Sequence, residues 1–255
     1  MFKKERMNRI HQLLIEKEFL SVKALSENLE VSEMTVRRDL KELEGNGILF
    51  RARGGAYIKK TISSEEDIGE KQIRNQTVKL RIAKKALDMI KDGMTILLDS
   101  GTTTYQLALL IANQDFKNLN IITNDMGIAE LLKNIDEISL IVIGGWIQKA
   151  TNSTQGNLAK LCMEQLHAEI AFVGASSIGE NLRIYSPSEE KVFLKRLFVE
   201  NSEKTVLLVD QSKGKQINLN YVYSVTDMDC IVTDLSLSKK AQEDLVKNHT
   251  DYWKV

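Results

Sequence analysis

Cysteine, histidine and proline are scarce in this chain of 255 residues. Cys162 and Cys230 are its two cysteines and form no Cys-x-x-Cys pair, so the sequence excludes a disulfide framework. With three histidines besides, a zinc site has almost no ligands available. We therefore expect no metal and no cofactor. The single proline, Pro187, disfavours a proline-rich linker or stalk.

Long apolar runs are also absent. No stretch approaches the roughly 18 consecutive apolar residues that a membrane-spanning helix needs. The chain opens on polar sequence, MFKKER, rather than on the apolar segment of a signal peptide. We therefore expect a cytoplasmic protein in a reducing compartment, with no membrane partner.

Charge is balanced over the whole chain but not along it. The 35 Lys and Arg residues equal the 35 Asp and Glu residues, which excludes a uniformly basic nucleic-acid binder. Residues 1–60 hold 13 basic and 9 acidic residues, which leaves 22 basic and 26 acidic residues in the remainder. Because a basic head and an acidic body suit different partners, and the length allows two domains, we expect two.

The first sixty residues predict three short helices. Apolar spacing indicates a helix over about 4–17, a second after Ser21 and a third after Ser32, and both serines are placed to cap. The third helix buries one apolar stripe and leaves threonine and arginine exposed near its start. This arrangement is typical of a helix-turn-helix, whose third helix reaches base edges in the major groove.

Residues 48–57 predict a small hairpin with a glycine tip, from which Arg51 and Arg53 project toward phosphates or the minor groove. Arginine bonds guanine bidentately, and serine or threonine contacts a base or a phosphate. The predicted DNA-binding residues are Ser32, Met34, Thr35, Arg37, Arg38, Arg51 and Arg53. Periodicity alone leaves a second interpretation open, since an Arg-Arg pair on a helix is often only a solvated face.

Two stretches carry a family resemblance: VSEMTVRRDLKELE at residues 31–44 and RGGA at 53–56. Over about residues 3–57 the chain resembles the DNA-binding head of the DeoR family of bacterial transcription regulators. The resemblance implies a winged helix-turn-helix that binds double-stranded DNA. Arg53 departs from the family, which usually has histidine there, and its permanent charge should strengthen a phosphate contact.

The predicted domain organisation has three parts. Residues 1–58 form the DNA-binding domain, the polar residues 59–72 form a linker, and residues 73–255 form a larger domain. A long helix over about 71–91 is predicted from apolar residues at four-residue steps, and Asp92-Gly93 stops it.

The larger domain alternates apolar runs with helical patterns. Runs rich in β-branched residues predict strands at 95–98, 119–122, 140–143, 170–173, 206–209 and 230–232. Helical patterns lie near 104–113, 126–134, 157–166 and 189–201. This alternation indicates an α/β domain with a doubly wound, mainly parallel sheet.

The ends of these strands are polar, and ligands of such sheets bind outside the carboxyl ends of strands. The run Asp99-Ser100-Gly101-Thr102-Thr103 feeds a helix N-terminus, where amides and hydroxyls can hold a phosphate. Lys213 follows the fifth strand and can supply a cation. Each feature has an alternative interpretation. The run can be only a helix cap, Lys213 only a surface lysine, and Asp99 only a structural acceptor of loop amides.

The same strand ends resemble the sensor domain of the DeoR family over about 75–250. The matching pieces are LDSGTT (98–103), TN (123–124), IGG (143–145), FVGA (172–175), DQSK (210–213) and IVTD (231–234). That domain is similar in fold to ribose-5-phosphate isomerase, glucosamine-6-phosphate deaminase and CoA transferases, and it senses phosphorylated sugars. The resemblance implies an effector site of Asp99, Ser100, Gly101, Thr102, Thr103, Asn124, Gly145, Ser176 and Lys213.

The resemblance predicts a repressor of a sugar-metabolism operon, working as a homodimer or homotetramer, whose operator affinity a phosphorylated sugar modulates. One rival is an aldose–ketose phosphate isomerase fused to a DNA-binding head. Its base would be an acid after the strand at 170–173, where this chain has Ser176-Ser177, so we expect no enzyme and no catalytic residues. Glu189 and Glu190 remain possible acids, although a solvated helix start is their commoner role. A second rival is an architectural DNA-binding protein without a ligand.

Overall fold

The structure is a computed structural model that describes residues 2–17, 19–45, 48–57, 65–214 and 217–255. The chain divides into two compact units, Met1–Thr61 and Ile62–Val255. Residues 59–64 of the predicted linker lie outside the described residues.

The first unit is a winged helix-turn-helix. Its elements are α1 (Lys3–Glu16), β1 (Leu20–Ser21), α2 (Val22–Leu29), α3 (Glu33–Gly45), β2 (Phe50–Ala52) and β3 (Gly55–Tyr57). The three strands form an antiparallel sheet in the order β1-β3-β2. Both predicted caps are confirmed, because the hydroxyls of Ser21 and Ser32 accept from backbone amides three residues on, at 3.0 and 3.2 Å.

A buried ion pair joins α1 to α3 beside the apolar core of this unit. The Arg6 guanidinium donates to both carboxylate oxygens of Asp39, at 2.5 Å from Nε and 3.2 Å from Nη2. Asp39 is fully buried and Arg6 nearly so. The hydrogen bond to Asp39 raises the pKa of Arg6. The pair fixes how the recognition helix α3 sits on α1.

The second unit is an α/β domain. Its helices are α4 (Ile68–Ile73), α5 (Gln76–Leu87), α6 (Thr102–Ile111), α7 (Met126–Leu132), α8 (Asn157–Met163), α9 (Glu189–Glu200) and α10 (Lys239–Lys247). Its strands are β4 (Thr95–Leu98), β5 (Leu119–Thr123), β6 (Ile138–Val142), β7 (Trp146–Gln148), β8 (Ser153–Gln155), β9 (Ala168–Gly174), β10 (Ser177–Ile178), β11 (Arg183–Ser186), β12 (Ser202–Val209), β13 (Asn220–Ser224), β14 (Cys230–Thr233) and β15 (Asp251–Lys254).

Seven strands form one parallel sheet in the order β15-β14-β12-β9-β4-β5-β6. Side chains of β4 alternate between two buried clusters, Leu97 in one and Ile96 and Leu98 in the other, so both faces of the sheet are covered. The predicted doubly wound architecture is confirmed, and all six predicted strands are present. The hairpin β7-β8 and the small sheet β10-β11-β13 lie outside it.

The single long helix predicted over about 71–91 is wrong. The chain forms α4 and α5 instead, and the break falls at Asn75, whose φ of 55° is left-handed. The Asn75 side chain donates to Asp210 Oδ1 at 2.8 Å. The apolar spacing from Val78 onward is helical, but the helix cannot continue backward through a left-handed residue.

Candidate functional site

The exposed face of α3 carries the side chains predicted to read DNA. Met34, Arg37 and Arg38 are exposed, and Met34 keeps 78% of its surface. Arg37 pairs with Glu33 at 3.2 Å, one turn earlier on the same helix. Arg38 has no ion-pair partner among the residues that the structure describes. Arg38 is therefore the more available guanidinium on the helix.

Ser32 and Thr35 lie at the start of α3 and bond to each other. Their hydroxyl oxygens are 3.0 Å apart, and the Thr35 amide donates to Ser32. Both hydroxyls thus order the first turn of the helix. Ser32 stays exposed and Thr35 partly so, which keeps them within reach of a phosphate.

The wing is a tight hairpin whose turn is Arg53-Gly54, and both Arg51 and Arg53 are exposed. Gly54 has a φ of +85°, a backbone conformation that is strained for any residue with a side chain. At Gly55 a Cβ would lie 2.3 Å from the Leu20 carbonyl oxygen, so glycine allows β3 to approach β1. The Arg51 guanidinium lies 3.6 Å from the Glu44 carboxylate, so a DNA phosphate would have to compete with that carboxylate for it.

All the predicted effector-binding residues follow the carboxyl ends of five adjacent strands, β12, β9, β4, β5 and β6. With about 4.8 Å between strands, the outermost of these ends are about 19 Å apart, more than one sugar phosphate spans. The predicted residues therefore lie along one edge of the sheet, but a single sugar phosphate cannot contact all of them. The segments after β4 and β9 lie at its centre.

A second buried ion pair lies at this centre. The Lys195 ammonium on α9 donates to Asp99 Oδ2 and, at 2.9 Å, to the Gly174 carbonyl oxygen. The Gly174 amide donates to the same Asp99 oxygen at 3.0 Å. Asp99 and Lys195 are both buried. The pair fastens the end of β4, and with it the turn that enters α6, to β9 and α9.

The turn after Asp99 presents the start of α6. The first amides of a helix have no partner within the helix, and Gly101 at the N-cap has no side chain to accept from them. Thr102 and Thr103 open the helix and are nearly buried. Ser100 is held by its amide, which donates to Asn124 Oδ1 at 3.1 Å. This group of amides and hydroxyls is suited to an anion.

Asn124 holds the backbone of this turn, and Gly145 holds the neighbouring β7-β8 hairpin. The Asn124 side chain also donates to the Thr154 carbonyl oxygen at 3.1 Å, so both its amide oxygen and its amide nitrogen are hydrogen-bonded. At Gly145, with φ +150°, a Cβ would lie 2.5 Å from the Gln155 carbonyl oxygen. Glycine there lets the β7-β8 hairpin approach closely. The two residues follow neighbouring strands, β5 and β6, on the same edge of the sheet.

Lys213 lies in a short turn after β12, near Asp210. Burial lowers its pKa, and the positive charge of Lys71 adds to that effect while Asp210 opposes it. Burial also lowers the pKa of Lys79 to about 8, again opposed by Asp210. A pKa of about 8 leaves the Lys79 ammonium predominantly protonated at pH 7, so it adds positive charge at this end of the edge.

Residues 65–75, which we call the strap, run across the same edge. At one end Asn75 bonds to Asp210 after β12, and in its middle the Ile68 amide donates to the Ala150 carbonyl oxygen at 2.7 Å. Ala150 lies in the β7-β8 hairpin, beyond β6. The prediction that residues through 72 form a linker is thus incomplete, because residues 65–72 are folded onto the second unit.

The other end of the strap is held by a carboxylate. Glu65 lies 3.0 Å from the Lys191 ammonium and 3.4 Å from the Lys71 ammonium, and its side chain is 6% exposed. Burial acts to raise the pKa of Glu65, but the charges of Lys191 and Lys71 outweigh it, so the pKa is lowered. Burial lowers the pKa of Lys191 to about 8. Glu65 is thus a buried anion between two cations.

Lys79, Lys191 and Lys195 were not predicted as site residues. The last two lie one turn apart on α9 among buried apolar residues. Lysines at i and i+4 on an apolar stripe are a usable sequence signal, because buried lysines require partners. Tyr223 was also missed: its hydroxyl is buried without a hydrogen-bond partner among the described residues. Burial raises its pKa well above the usual value, and the charge of Asp99 adds to this.

A winged helix-turn-helix joined to a doubly wound α/β unit with a polar strand edge defines a DNA-binding transcription regulator with a sensing domain. Two family descriptions match the chain: the DeoR-like helix-turn-helix domain over residues 6–61 and the DeoR C terminal sensor domain over 74–235. The chain belongs to the DeoR family. No group of three or more candidate metal ligands, and no helix long and apolar enough to cross a membrane, occurs in the described part of the chain.

Relatives match nearly the whole chain. An uncharacterized HTH-type transcriptional regulator of Haemophilus influenzae is 33% identical over 100% of this chain and 98% of its own length. The lactose phosphotransferase system repressor of Lactococcus lactis is 32% identical, covering 96% of each. Among solved structures, ribose 5-phosphate isomerase A of Methanocaldococcus jannaschii aligns with a TM-score of 0.40 at 23% identity, over 55% of this chain and 54% of that one.

Proposed function

We propose that this regulator is a repressor of a sugar-metabolism operon, and that a phosphorylated sugar bound at the carboxyl edge of the sheet changes its operator affinity. The observation that carries the effector site is the amide- and hydroxyl-rich start of α6, which lies on the same strand edge as Lys213. Relatives named as a lactose phosphotransferase system repressor and a putative aga operon transcriptional repressor support both the repression and the sugar.

The arrangement favours sensing over catalysis. Asp99, the carboxylate at the centre, already accepts from an ammonium group and an amide on the same oxygen, so that oxygen is engaged in holding the fold. Ser176 follows β9 where an isomerase base would be needed, and a hydroxyl cannot act as that base at neutral pH. We therefore propose that the bound sugar phosphate leaves unchanged.

DNA binding by this class requires symmetric pairing, so we propose a homodimer or homotetramer. Two recognition helices then enter major grooves about 34–36 Å apart. Fluorescence anisotropy on the DNA upstream of the protein's own gene, with a panel of sugar phosphates, tests the whole proposal. We expect one ester to shift the affinity about 5–150-fold. If the protein binds DNA and no ester changes the affinity, the effector proposal is wrong.

Arg38→Ala is expected to weaken operator binding by about 1–3 kcal/mol if the guanidinium bonds a base. The loss would then fall on one operator position, measured by anisotropy on a set of single-base variants. Arg38→Lys is the matched control, because it keeps the charge but loses the bidentate fork. A loss that is uniform across sequences, with a salt slope lower by about 1, would instead assign Arg38 to a phosphate.

Thr102→Ala and Lys213→Ala are each expected to weaken effector binding by about tenfold or more, since hydrogen bonds to charged groups contribute about 1.5–3 kcal/mol. Operator binding without effector should stay unchanged. Calorimetry with the active ester and anisotropy with operator DNA measure the two quantities on the same samples. Lys240→Ala, at an exposed lysine of α10, is the control. Loss of operator affinity in the first two variants would contradict this separation of roles.

A further inference from the structure

Stability alone does not explain why the ion pair between Glu65 and Lys191 is buried. Both side chains are nearly buried, at 6% and 10% exposure. A buried ion pair is often no more stabilising than apolar side chains of similar volume, because both charges lose their hydration. A second ammonium group, that of Lys71, faces the same carboxylate at 3.4 Å. Two ammonium groups that face the two oxygens of one carboxylate form a position suited to an anion.

This anion position lies beside α6, because α4, which carries Lys71, packs against that helix. Lys191 lies one turn before Lys195 on α9, about 6 Å along the helix axis. Lys195 bonds Asp99, which leads directly into Ser100 and the first turn of α6. Both ammonium groups that hold Glu65 therefore belong to helices that contact α6 or the turn before it.

We propose that Glu65 is an internal anionic ligand of the effector site, whose carboxylate occupies the ammonium groups of Lys191 and Lys71 that an effector phosphate takes when it binds. This inference rests on the proposed effector site and adds how that site is regulated. A phosphate carries more charge and more acceptor oxygens than a carboxylate, so it competes well for the same donors.

Displacing Glu65 releases the end of the strap that is nearest in sequence to the DNA-binding unit. Seven residues separate Glu65 from Tyr57, the last residue of the wing strand β3. The far end of the strap stays fastened through Asn75 and Asp210. Binding of a phosphate ester thus frees the Glu65 end of the strap while the Asn75 end stays fastened.

The test uses the full chain at pH 7, with inorganic phosphate as the probe. Glu65→Gln removes the competing charge, so we expect calorimetry to show about tenfold tighter phosphate binding than in the unaltered protein. Glu243→Gln is the control, because Glu243 is an exposed carboxylate of α10, outside the strap. It should change phosphate affinity by less than about twofold.

Hydrogen exchange at the Ile68 amide, which bonds Ala150, reports the strap itself. In the unaltered protein, phosphate should speed this exchange, and in Glu65→Gln the exchange should already be fast without phosphate. Equal phosphate affinity in both proteins, or exchange that phosphate leaves unchanged or slows, overturns the inference and leaves the effector site standing. If neither protein binds phosphate, the effector site and the inference are overturned together.

Discussion

Asp39→Ala should destabilise the DNA-binding unit by about 3 kcal/mol, the lower end of the range for breaking a buried ion pair. The substitution leaves the Arg6 guanidinium buried without the carboxylate that its Nε and Nη2 donate to. A unit of about 60 residues has only a few kcal/mol of stability in total. We therefore expect most operator affinity to be lost with it.

Urea unfolding followed by a probe in the first unit measures this effect. Glu33→Ala is the matched control, since it removes an exposed ion pair on the same helix and should cost about 0.3–0.5 kcal/mol. The double variant Arg6→Met, Asp39→Leu should recover much of the stability, because it removes both charges. A cost for Asp39→Ala no larger than that of Glu33→Ala would show that the pair does not hold α1 to α3.

Lys195→Ala is expected to have the second large effect, on the other unit. It leaves the Asp99 carboxylate, 1% exposed, without its ammonium partner, at a cost of about 3–5 kcal/mol. Because Asp99 also fixes the turn into α6, effector binding should fall at the same time. Denaturant unfolding followed by a probe in the second unit, with calorimetry on the active ester, measures both.

Lys204→Ala, at an exposed lysine of β12, is the control and should change stability by less than about 0.5 kcal/mol. The double variant Asp99→Asn, Lys195→Met removes both charges and should be more stable than Lys195→Ala. If it is, and still binds no effector, then the pair positions the site in addition to holding the fold. Unaltered effector affinity in Lys195→Ala would contradict the role given to this pair.

Much of the fold could be predicted from the sequence because its signals are local. The six predicted strands are apolar on both faces, and this pattern is typical of strands in a sheet that is covered on both sides. The serines at the helix starts, Ser21 and Ser32, act within three residues of themselves. The final strand β15, DYWK, gave no such signal, because it is a short edge strand with mixed polarity.

The candidate site divides in the same way. The strand ends after β4, β5 and β12 could be found because polar residues directly follow apolar runs. The strap could not be found, because its residues are polar without helical or strand periodicity and its folding depends on Asp210, Ala150 and Lys191. A single lysine on a helix usually indicates a solvated face, so the lysines of α9 could be found only through their four-residue spacing on an apolar stripe.

The sequence by itself determined the two-part architecture, the recognition helix and six strands of the central sheet, since each depends on a repeat or a cap a few residues long. Only the tertiary structure decided which charges meet. Asp99 and Lys195 are 96 residues apart in the chain, and Arg6 and Asp39 are 33 apart. Such pairs form because the folded sheet and helices bring their ends together, and burial then makes each charge depend on a partner that no local pattern specifies.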